Sequence, residues 1–362
     1  MIDINIRLLV STIPPGHGGA GDYLKTVIKK YNEHIIITPK IWSVLKVKNK
    51  YLRRIIYAAE MVAIKLILGV ISRVFEIKSL VLYHPQTLGY ALSKRLIDKS
   101  NSVDFWVVDA SFFCKKSYNV LNGKECLRCI TAFNPDIDCQ HFPRLQRDSD
   151  YIGFIQKLRE NTKKIRYIVQ TSGYVNLVAK SINPENIILS KMVFDEFKSI
   201  EAYKYQSGKM LYGIAYHANP IEAKGYEYTH RLAIKLPDVD FIFPNKPIPC
   251  NLPLNTNCLY KPCTWNDGLK DILIASSIVI CPSIWSAPVE ASVIKTMLMR
   301  KPVAIIKNTY SFSADLPSDV FIELTGNEDV DSLYLRSLLR APEKLKLIAE
   351  DGYKWACEYI NE

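Results

Sequence analysis

Several features that would classify this chain at once are missing from its 362 residues. The start, MIDINIRLLVST, has no basic segment followed by an apolar core and a small-residue cleavage site, so we expect no signal peptide. A spanning helix needs about 20 nearly uninterrupted apolar residues. The longest apolar stretch, Ile55 to Phe75, is broken by Glu60, Lys65 and Arg73, so we expect no transmembrane span. Both absences favour a cytoplasmic protein.

Nucleic-acid-binding modules, fixed-period repeats and low-complexity segments are also missing. The 47 Lys and Arg residues outnumber the 36 Asp and Glu residues, which gives a net charge of +11. This excess favours an anionic partner, either a membrane surface or a phosphorylated substrate, and the lack of a module argues against nucleic acid. A generally basic proteome is the alternative explanation.

What the sequence does contain is a regular alternation of apolar strands with helical segments of about 10 to 15 residues. This pattern predicts an α/β protein with parallel sheets covered on both faces. A break near residues 190 to 208 predicts two doubly wound domains, 1–192 and 193–340, followed by a C-terminal helix at 341–362. The first domain carries a Cys-bearing insertion at 112–143, and the Pro- and Asn-rich tract 243–262 predicts an extended loop.

Three motifs follow strands, where open α/β sheets bind their ligands. STIPPGHGGAGDYL is a glycine-rich loop before a helix, although it is neither G-x-G-x-x-G nor a P-loop. Its glycines let the backbone approach an anionic ligand at the helix N-terminus, and a simple tight turn is the alternative. The candidate ligand-binding residues in this loop are Gly18, Gly19 and Gly21.

The second and third motifs belong to the C-terminal half. Lys224 and Gly225 open a helix just past a strand, which would suit a diphosphate. The stretch CPSIWSAPVEASVIKTMLMRKPV runs from an apolar strand through a turn into a helix. It adds four candidate ligand-binding residues: Ser283, Trp285, Glu290 and Lys295.

These motifs, in this order, resemble the GT-B glycosyltransferases of family 4 over nearly the whole chain. The resemblance implies two Rossmann-like, doubly wound domains facing a cleft, with the last helix crossing back to the N-terminal domain. It further implies that the C-terminal domain binds a nucleotide sugar without a metal cofactor and that the N-terminal domain binds the acceptor. A hexosyltransferase that retains anomeric configuration is the implied enzyme.

The chain departs from the family pattern at several positions. Ala287 and Lys295 stand where the family has its two motif glutamates, and a charged Lys cannot accept a hydrogen bond from a ribose hydroxyl. Glu290 could supply a carboxylate from a shifted position or pair with Lys295. Asp109 corresponds to a family His, and we expect it to position or deprotonate the acceptor hydroxyl. His84, after the third strand, is the second catalytic candidate, and a capping role is its alternative.

Four cysteines lie close together within the insertion, which is enough for tetrahedral zinc. Structural zinc, unligated thiols, a disulfide and an iron–sulfur site all stay open, and the spacing matches no standard finger. The four candidate ligands are Cys114, Cys126, Cys129 and Cys139.

A basic cluster precedes the long apolar helix that starts near Tyr51. This end of the helix predicts docking on anionic lipid, and a core helix with a solvated basic end is the alternative. The five basic residues are Lys46, Lys48, Lys50, Arg53 and Arg54.

Together these observations predict a cytoplasmic glycosyltransferase, peripheral on the inner face of the plasma membrane. It would move a sugar from a nucleotide sugar to a glycan or lipid-linked acceptor, as in capsule or lipopolysaccharide biosynthesis. The alternatives are a non-catalytic GT-B scaffold or sugar-binding protein, and a sugar-nucleotide epimerase of the same fold.

Overall fold

The computed structural model describes residues 6–16, 18–40, 49–131, 139, 146–160, 163–193, 195–203, 210–248 and 255–361. The chain divides into two compact units. Unit 1 comprises Met1–Asn119 and Leu127–Val193, and unit 2 comprises Val120–Cys126 and Phe194–Glu362. Each unit is described by itself below.

Unit 1 is built on a six-stranded parallel sheet in the order β2-β1-β3-β4-β7-β8. Its strands are β1 (Ile6–Ser11), β2 (Ile35–Ile37), β3 (Ile77–Tyr83), β4 (Ser100–Trp106), β7 (Ile165–Val169) and β8 (Ile187–Leu189). Its helices are α1 (Gly18–Lys30), α2 (Lys50–Val74), α3 (Pro85–Leu88), α4 (Tyr90–Asp98), α5 (Arg128–Thr131), α6 (Asp148–Glu160) and α7 (Ser172–Val178).

Unit 2 repeats the plan with a second six-stranded parallel sheet, in the order β11-β10-β9-β12-β13-β14. Its strands are β9 (Tyr212–Tyr216), β10 (Phe241–Phe243), β11 (Cys258–Tyr260), β12 (Ser276–Ile280), β13 (Val303–Ile306) and β14 (Ile322–Leu324). Its helices are α8 (Tyr226–Lys235), α9 (Leu269–Ile274), α10 (Ala291–Leu298), α11 (Glu328–Leu339) and α12 (Pro342–Asn361). The unit also contains a two-stranded antiparallel hairpin of β5 (Val120–Leu121) and β6 (Lys124–Glu125).

The strands form sheets because their apolar residues can be buried from both faces. Leu8, Leu9 and Val10 in β1 are fully buried, as are Ile278, Val279 and Ile280 in β12. Near-continuous burial of this kind requires helices on both sides of the sheet. The two parallel sheets confirm the predicted α/β class and its doubly wound architecture.

Each sheet has one place where the strand order reverses. This point lies between β1 and β3 in unit 1 and between β9 and β12 in unit 2. Loops that follow the two strands diverge there and leave a crevice, where doubly wound sheets bind ligands. The glycine-rich loop and His84 flank the first point, and the motifs at Lys224 and Ser283 flank the second.

Three elements lie where the sequence predicts none. The tract 243–262 contains β11 in addition to loop, although 249–254 lie outside the described residues. The insertion predicted as irregular contains the hairpin, and α11 precedes the last helix.

The last helix, α12, packs within unit 2, where a side chain on Gly352 would meet the Val320 carbonyl. Its predicted crossing to the N-terminal domain stays a prediction.

Candidate functional site

The candidate site of unit 2 is formed by the segments that follow β9 and β12. Lys224 ends a short 3₁₀ turn after β9, and Ser283, Trp285 and Glu290 lie between β12 and α10. The Ile284 amide donates to the Ala223 carbonyl at 2.9 Å, so the two segments are joined directly.

Lys224 and Glu290 form an ion pair at the centre of this site. The Lys224 Nζ lies 2.5 Å from Glu290 Oε1, and the Ser283 hydroxyl donates to the same oxygen at 2.5 Å. Both charged side chains are mostly buried. The Lys224 ammonium also lies 5.1 Å from the centroid of the Trp285 ring. The structure therefore brings together four of the predicted donor-binding residues, and Glu290 pairs with Lys224 rather than with Lys295.

Gly225 allows this approach of the two segments. Its φ of +70° lies in the left-handed region, and a Cβ there would stand 2.2 Å from the Pro282 carbonyl oxygen. Only glycine tolerates both conditions. The Lys-Gly pair thus has a structural reason: Gly225 lets the Lys224 turn contact the loop after β12.

The same loop is fixed from its other side by the segment after β13. The Asn308 side-chain amide donates to the carbonyls of Ser283 and Trp285, at 3.0 and 3.2 Å. The Phe312 amide donates to the Ala287 carbonyl at 2.8 Å. A loop bonded on both sides keeps its side chains in place before any ligand arrives, which is what a preorganised binding site requires.

Lys295 belongs to a neighbouring cluster. Its Nζ lies 3.0 Å from Glu196 Oε2 and 4.6 Å from the centroid of the Trp265 ring. His217 stacks against that indole, with centroids 5.8 Å apart and planes 4° apart. Burial, with the Lys295 charge, lowers the pKa of His217 to about 3. His217 is therefore neutral at physiological pH, and the charge of Lys295 is held by a carboxylate of the same unit.

In unit 1, the glycine-rich loop packs closely on the start of α1. The Gly16 amide donates to the Gly21 carbonyl at 2.8 Å, and a Cβ on Gly21 would stand 2.5 Å from the Pro14 carbonyl oxygen. Gly18 and Gly19 are exposed in the first turn of the helix. This arrangement leaves the backbone at Gly18 and Gly19 open to a ligand, as expected for an anion site.

His84 and Asp109 lie side by side at the ends of β3 and β4. His84 Nε2 is 3.4 Å from Asp109 Oδ2, which also accepts a hydrogen bond from the Gln86 side chain. Asp109 Oδ1 accepts from the Ser111 amide at 2.8 Å. These contacts place Asp109 where it can orient the His84 ring, and its predicted role in positioning or deprotonating the acceptor hydroxyl stays a prediction.

His84 has features of a residue that binds a ligand hydroxyl. Its backbone is left-handed, with φ of +57°, which is uncommon for a residue other than glycine and typical of functional sites. Burial lowers its pKa, although nearby Asp109 opposes this, so the ring is neutral at pH 7. Among the described residues, its buried Nδ1 has no hydrogen-bond partner. That atom could accept a hydrogen bond from a ligand hydroxyl.

The four candidate zinc ligands are all half-buried. Across the described ranges, which include all four, no three or more His, Cys, Asp or Glu side chains are grouped to hold a metal ion. Cys114 and Cys129 both lie near Tyr151, whose hydroxyl pKa is raised by burial and, to a smaller degree, by these two thiols. The positions 132–138 and 140–145 of the insertion lie outside the described residues. Structural zinc stays a prediction.

Sequence reasoning missed three residues that complete these clusters. Glu196 and Trp265 are distant from Lys295 along the chain, and no local pattern marks them. Glu125 lies on the hairpin, where its carboxyl accepts a hydrogen bond from Ser286. The Asn122-Gly123 dipeptide between short apolar and polar segments is a hairpin signal that could have located it.

Several solved structures have a fold similar to that of this chain. HepE from Anabaena in complex with UDP-glucose matches with a TM-score of 0.62 at 11% identity, over 98% of this chain and 95% of that one. WaaG, a glycosyltransferase involved in lipopolysaccharide biosynthesis, matches with 0.59 at 12% identity, over 97% and 95%. A glycosyltransferase from Rickettsia africae matches with 0.58 at 13% identity, over 99% and 96%. The chain has the GT-B fold of these proteins.

Searches by sequence give no such match. No family model matches the chain, and no curated protein matches it.

Proposed function

We propose that the protein is a glycosyltransferase that takes a sugar from a nucleotide sugar. The observation that carries this proposal is the Lys224–Glu290–Ser283 cluster at the strand-order reversal of unit 2, beside the N-terminus of α10. A lysine and a helix N-terminus are the groups that neutralise a diphosphate leaving group. The fold supports the same function, since HepE has been solved with UDP-glucose and with UDP.

In this proposal a diphosphate competes with Glu290 for Lys224. The ion pair holds the ammonium in place while the site is empty, and the carboxylate is then available to a hydroxyl of the donor. The acceptor hydroxyl would bond to His84 in unit 1, whose ring Asp109 orients. A hexosyltransferase with retention of configuration is the form we propose, with no metal in the transfer step.

We further propose that the acceptor is a glycan or a lipid-linked glycan of the cell surface, such as capsule or lipopolysaccharide. The support is α2. Contrary to the expectation from its interrupting charges, this helix is long and apolar enough to cross a membrane by length and composition, with 28% of its most apolar window buried. Met61, Ile64 and Leu68 face the interior of unit 1. A helix that packs one face against its own domain can place its other, exposed face on the surface of a bilayer. We therefore propose a peripheral membrane protein on the cytoplasmic face of the membrane.

The outer face of α2 supports that placement. Of the predicted basic cluster, Arg53 and Arg54 are exposed, and Lys46 and Lys48 lie outside the described residues. Lys65 and Arg73 farther along the helix are also exposed, whereas Glu60 is buried. An open groove of about 740 Å³ between α2 and α4 has mostly apolar walls and includes Lys65, Arg73 and Arg95. Eight large apolar side chains of the helix are exposed: Tyr51, Leu52, Ile55, Val62, Leu66, Ile67, Val70 and Val74.

The direct test is a binding panel with UDP, GDP, ADP and CMP, measured by calorimetry. We expect one nucleoside diphosphate or monophosphate to bind wild-type protein and the Lys224→Ala variant to lose at least tenfold in affinity, as loss of a charge-assisted contact predicts. Lys235→Ala, which removes an exposed lysine at the far end of α8, is the matched control. No binding of any of the four would contradict transfer from a nucleotide sugar and favour a scaffold.

A further inference from the structure

The β5–β6 hairpin interrupts unit 1 in sequence but belongs to unit 2 in structure. Asn122 and Gly123 at its tip have φ values of +51° and +71°. Two consecutive positive values define the tight turn that matches the twist of a two-residue hairpin. The hairpin is therefore a formed element with a fixed geometry, and its last residue, Glu125, has a defined position.

Two contacts attach this hairpin to the candidate donor site. The Gly123 amide donates to Glu222 Oε1 at 3.2 Å, on the short turn that ends in Lys224. The Glu125 carboxyl accepts a hydrogen bond from the Ser286 hydroxyl, in the loop after β12. The hairpin thus reaches both segments of the site, and Glu125 meets the loop one residue after Trp285, whose ring lies under the Lys224 ammonium.

The Glu125 carboxyl is held there with unused hydrogen-bonding capacity. Within the described part of the chain, Ser286 is the one group that hydrogen bonds to it. A carboxyl group offers about four acceptor positions. Burial raises the pKa of Glu125, whereas the bond from Ser286 opposes this. Glu125 is half-buried, and neither of its oxygens is among the buried side-chain atoms that lack a partner, so its unused acceptor positions are accessible to a ligand hydroxyl.

We propose that Glu125 binds hydroxyl groups on the sugar of the donor. A sugar has several closely spaced hydroxyls, and a carboxyl can accept hydrogen bonds from two of them at once. The hydrogen bond from Ser286 would hold the Glu125 carboxyl in a fixed orientation for this. The inference rests on the proposed function, because the sugar must be attached to a nucleotide that occupies the Lys224–Glu290 site. It adds a specificity-determining residue that lies outside every motif of the C-terminal half.

The test separates the sugar's contribution from the nucleotide's. Calorimetry on the full chain compares UDP with UDP-glucose, GDP with GDP-mannose, and ADP with ADP-glucose. We expect Glu125→Gln to bind the bare nucleotide as wild-type protein does. We expect the ratio of its affinity for the nucleotide sugar to its affinity for the bare nucleotide to fall about tenfold. Gln preserves the size of the side chain and an acceptor for Ser286, so the hairpin should stay in place, which an unchanged melting temperature would verify.

Glu222→Gln is the matched control, since it makes the same substitution in the other contact of the hairpin and keeps an acceptor for Gly123. It should leave both affinities unchanged. Equal losses for nucleotide and nucleotide sugar in Glu125→Gln would show a structural residue and overturn the inference. An unchanged sugar contribution, or a wild-type protein that gains nothing from the sugar, would also overturn it. Wild-type protein that binds none of these nucleotides and does not bind CMP either overturns the proposed function itself.

Discussion

At the scale of single residues, the two lysines of the candidate donor site are each held by a different carboxylate. Lys224 bonds to Glu290, and Lys295 bonds to Glu196. Two separate pairs keep two positive charges close to a site that would receive a diphosphate, without an unpaired buried charge in the empty protein. The charge of Lys295 is therefore paired within the protein itself.

Exchanging the charges of the Lys295–Glu196 pair tests whether this ion pair stabilises the folded protein. Lys295→Glu places two carboxylates together in a partly buried setting, and we expect it to lower the free energy of unfolding by about 1 to 2 kcal/mol. The double variant Lys295→Glu with Glu196→Lys should recover most of that loss. Thermal denaturation of the two variants and wild type gives the comparison. A double variant no more stable than the single one would mean that the pair does not matter for folding.

A second residue-scale prediction concerns Gly225. Alanine there combines a left-handed backbone with a Cβ that would stand 2.2 Å from the Pro282 carbonyl oxygen. We therefore expect Gly225→Ala to lower the free energy of unfolding by roughly 3 kcal/mol. Gly268→Ala in the same unit is the control, because its φ of +80° is similar but its nearest neighbour would be 3.7 Å away. The control should lose only about 1 kcal/mol. Equal losses, measured by urea denaturation, would refute the close approach as the cause.

At the scale of elements, the outer face of α2 exposes large apolar side chains that we expect to bind a membrane surface. Ile55, Val62 and Leu66 are 65%, 58% and 67% exposed on it. Replacing all three with Gln should reduce binding to phosphatidylglycerol-containing vesicles at least tenfold, since each buried apolar side chain contributes about 1.5 to 3 kcal/mol. Flotation with these vesicles, and with pure phosphatidylcholine vesicles, measures the effect.

The control for this experiment has equally exposed apolar residues in unit 2. Leu211, Leu333 and Leu347 are 68%, 71% and 64% exposed. Their replacement with Gln should leave vesicle binding unchanged. If the α2 variant still binds vesicles but changes from dimer to monomer by light scattering, its outer face joins two copies of the chain and does not dock on lipid.

The elements also show what the sequence could predict. Strands such as β1 and β12 are recognisable because burial on both faces requires an unbroken apolar run, and the Pro-Ser turn after β12 is recognisable from its prolines. The neighbours of Lys295 are not predictable in this way. Glu196 and Trp265 are both far from it in the chain, so their contact depends on the tertiary fold. The hairpin was predictable from Asn122-Gly123, but its attachment to Ser286 was not.

At the scale of the whole molecule, the protein is two units that each have a six-stranded sheet and a core of their own. Units of this kind are expected to unfold in separable steps rather than in one. The cluster proposed to bind the nucleotide lies in unit 2, together with Glu125 on the hairpin. The candidate acceptor residues His84 and Asp109 lie in unit 1. Donor and acceptor binding should therefore act on different parts of the unfolding curve.

Scanning calorimetry with and without nucleotide tests this division. At a nucleotide concentration of 100 Kd, binding to the native state stabilises it by about 2.7 kcal/mol. We expect this to raise the melting temperature of one transition by several degrees and to leave the other unchanged. Gly225→Ala should lower the same transition, which identifies it as unit 2. Should the nucleotide move the transition that Gly225→Ala leaves alone, the donor site would have to lie in unit 1, with the glycine-rich loop as its main element.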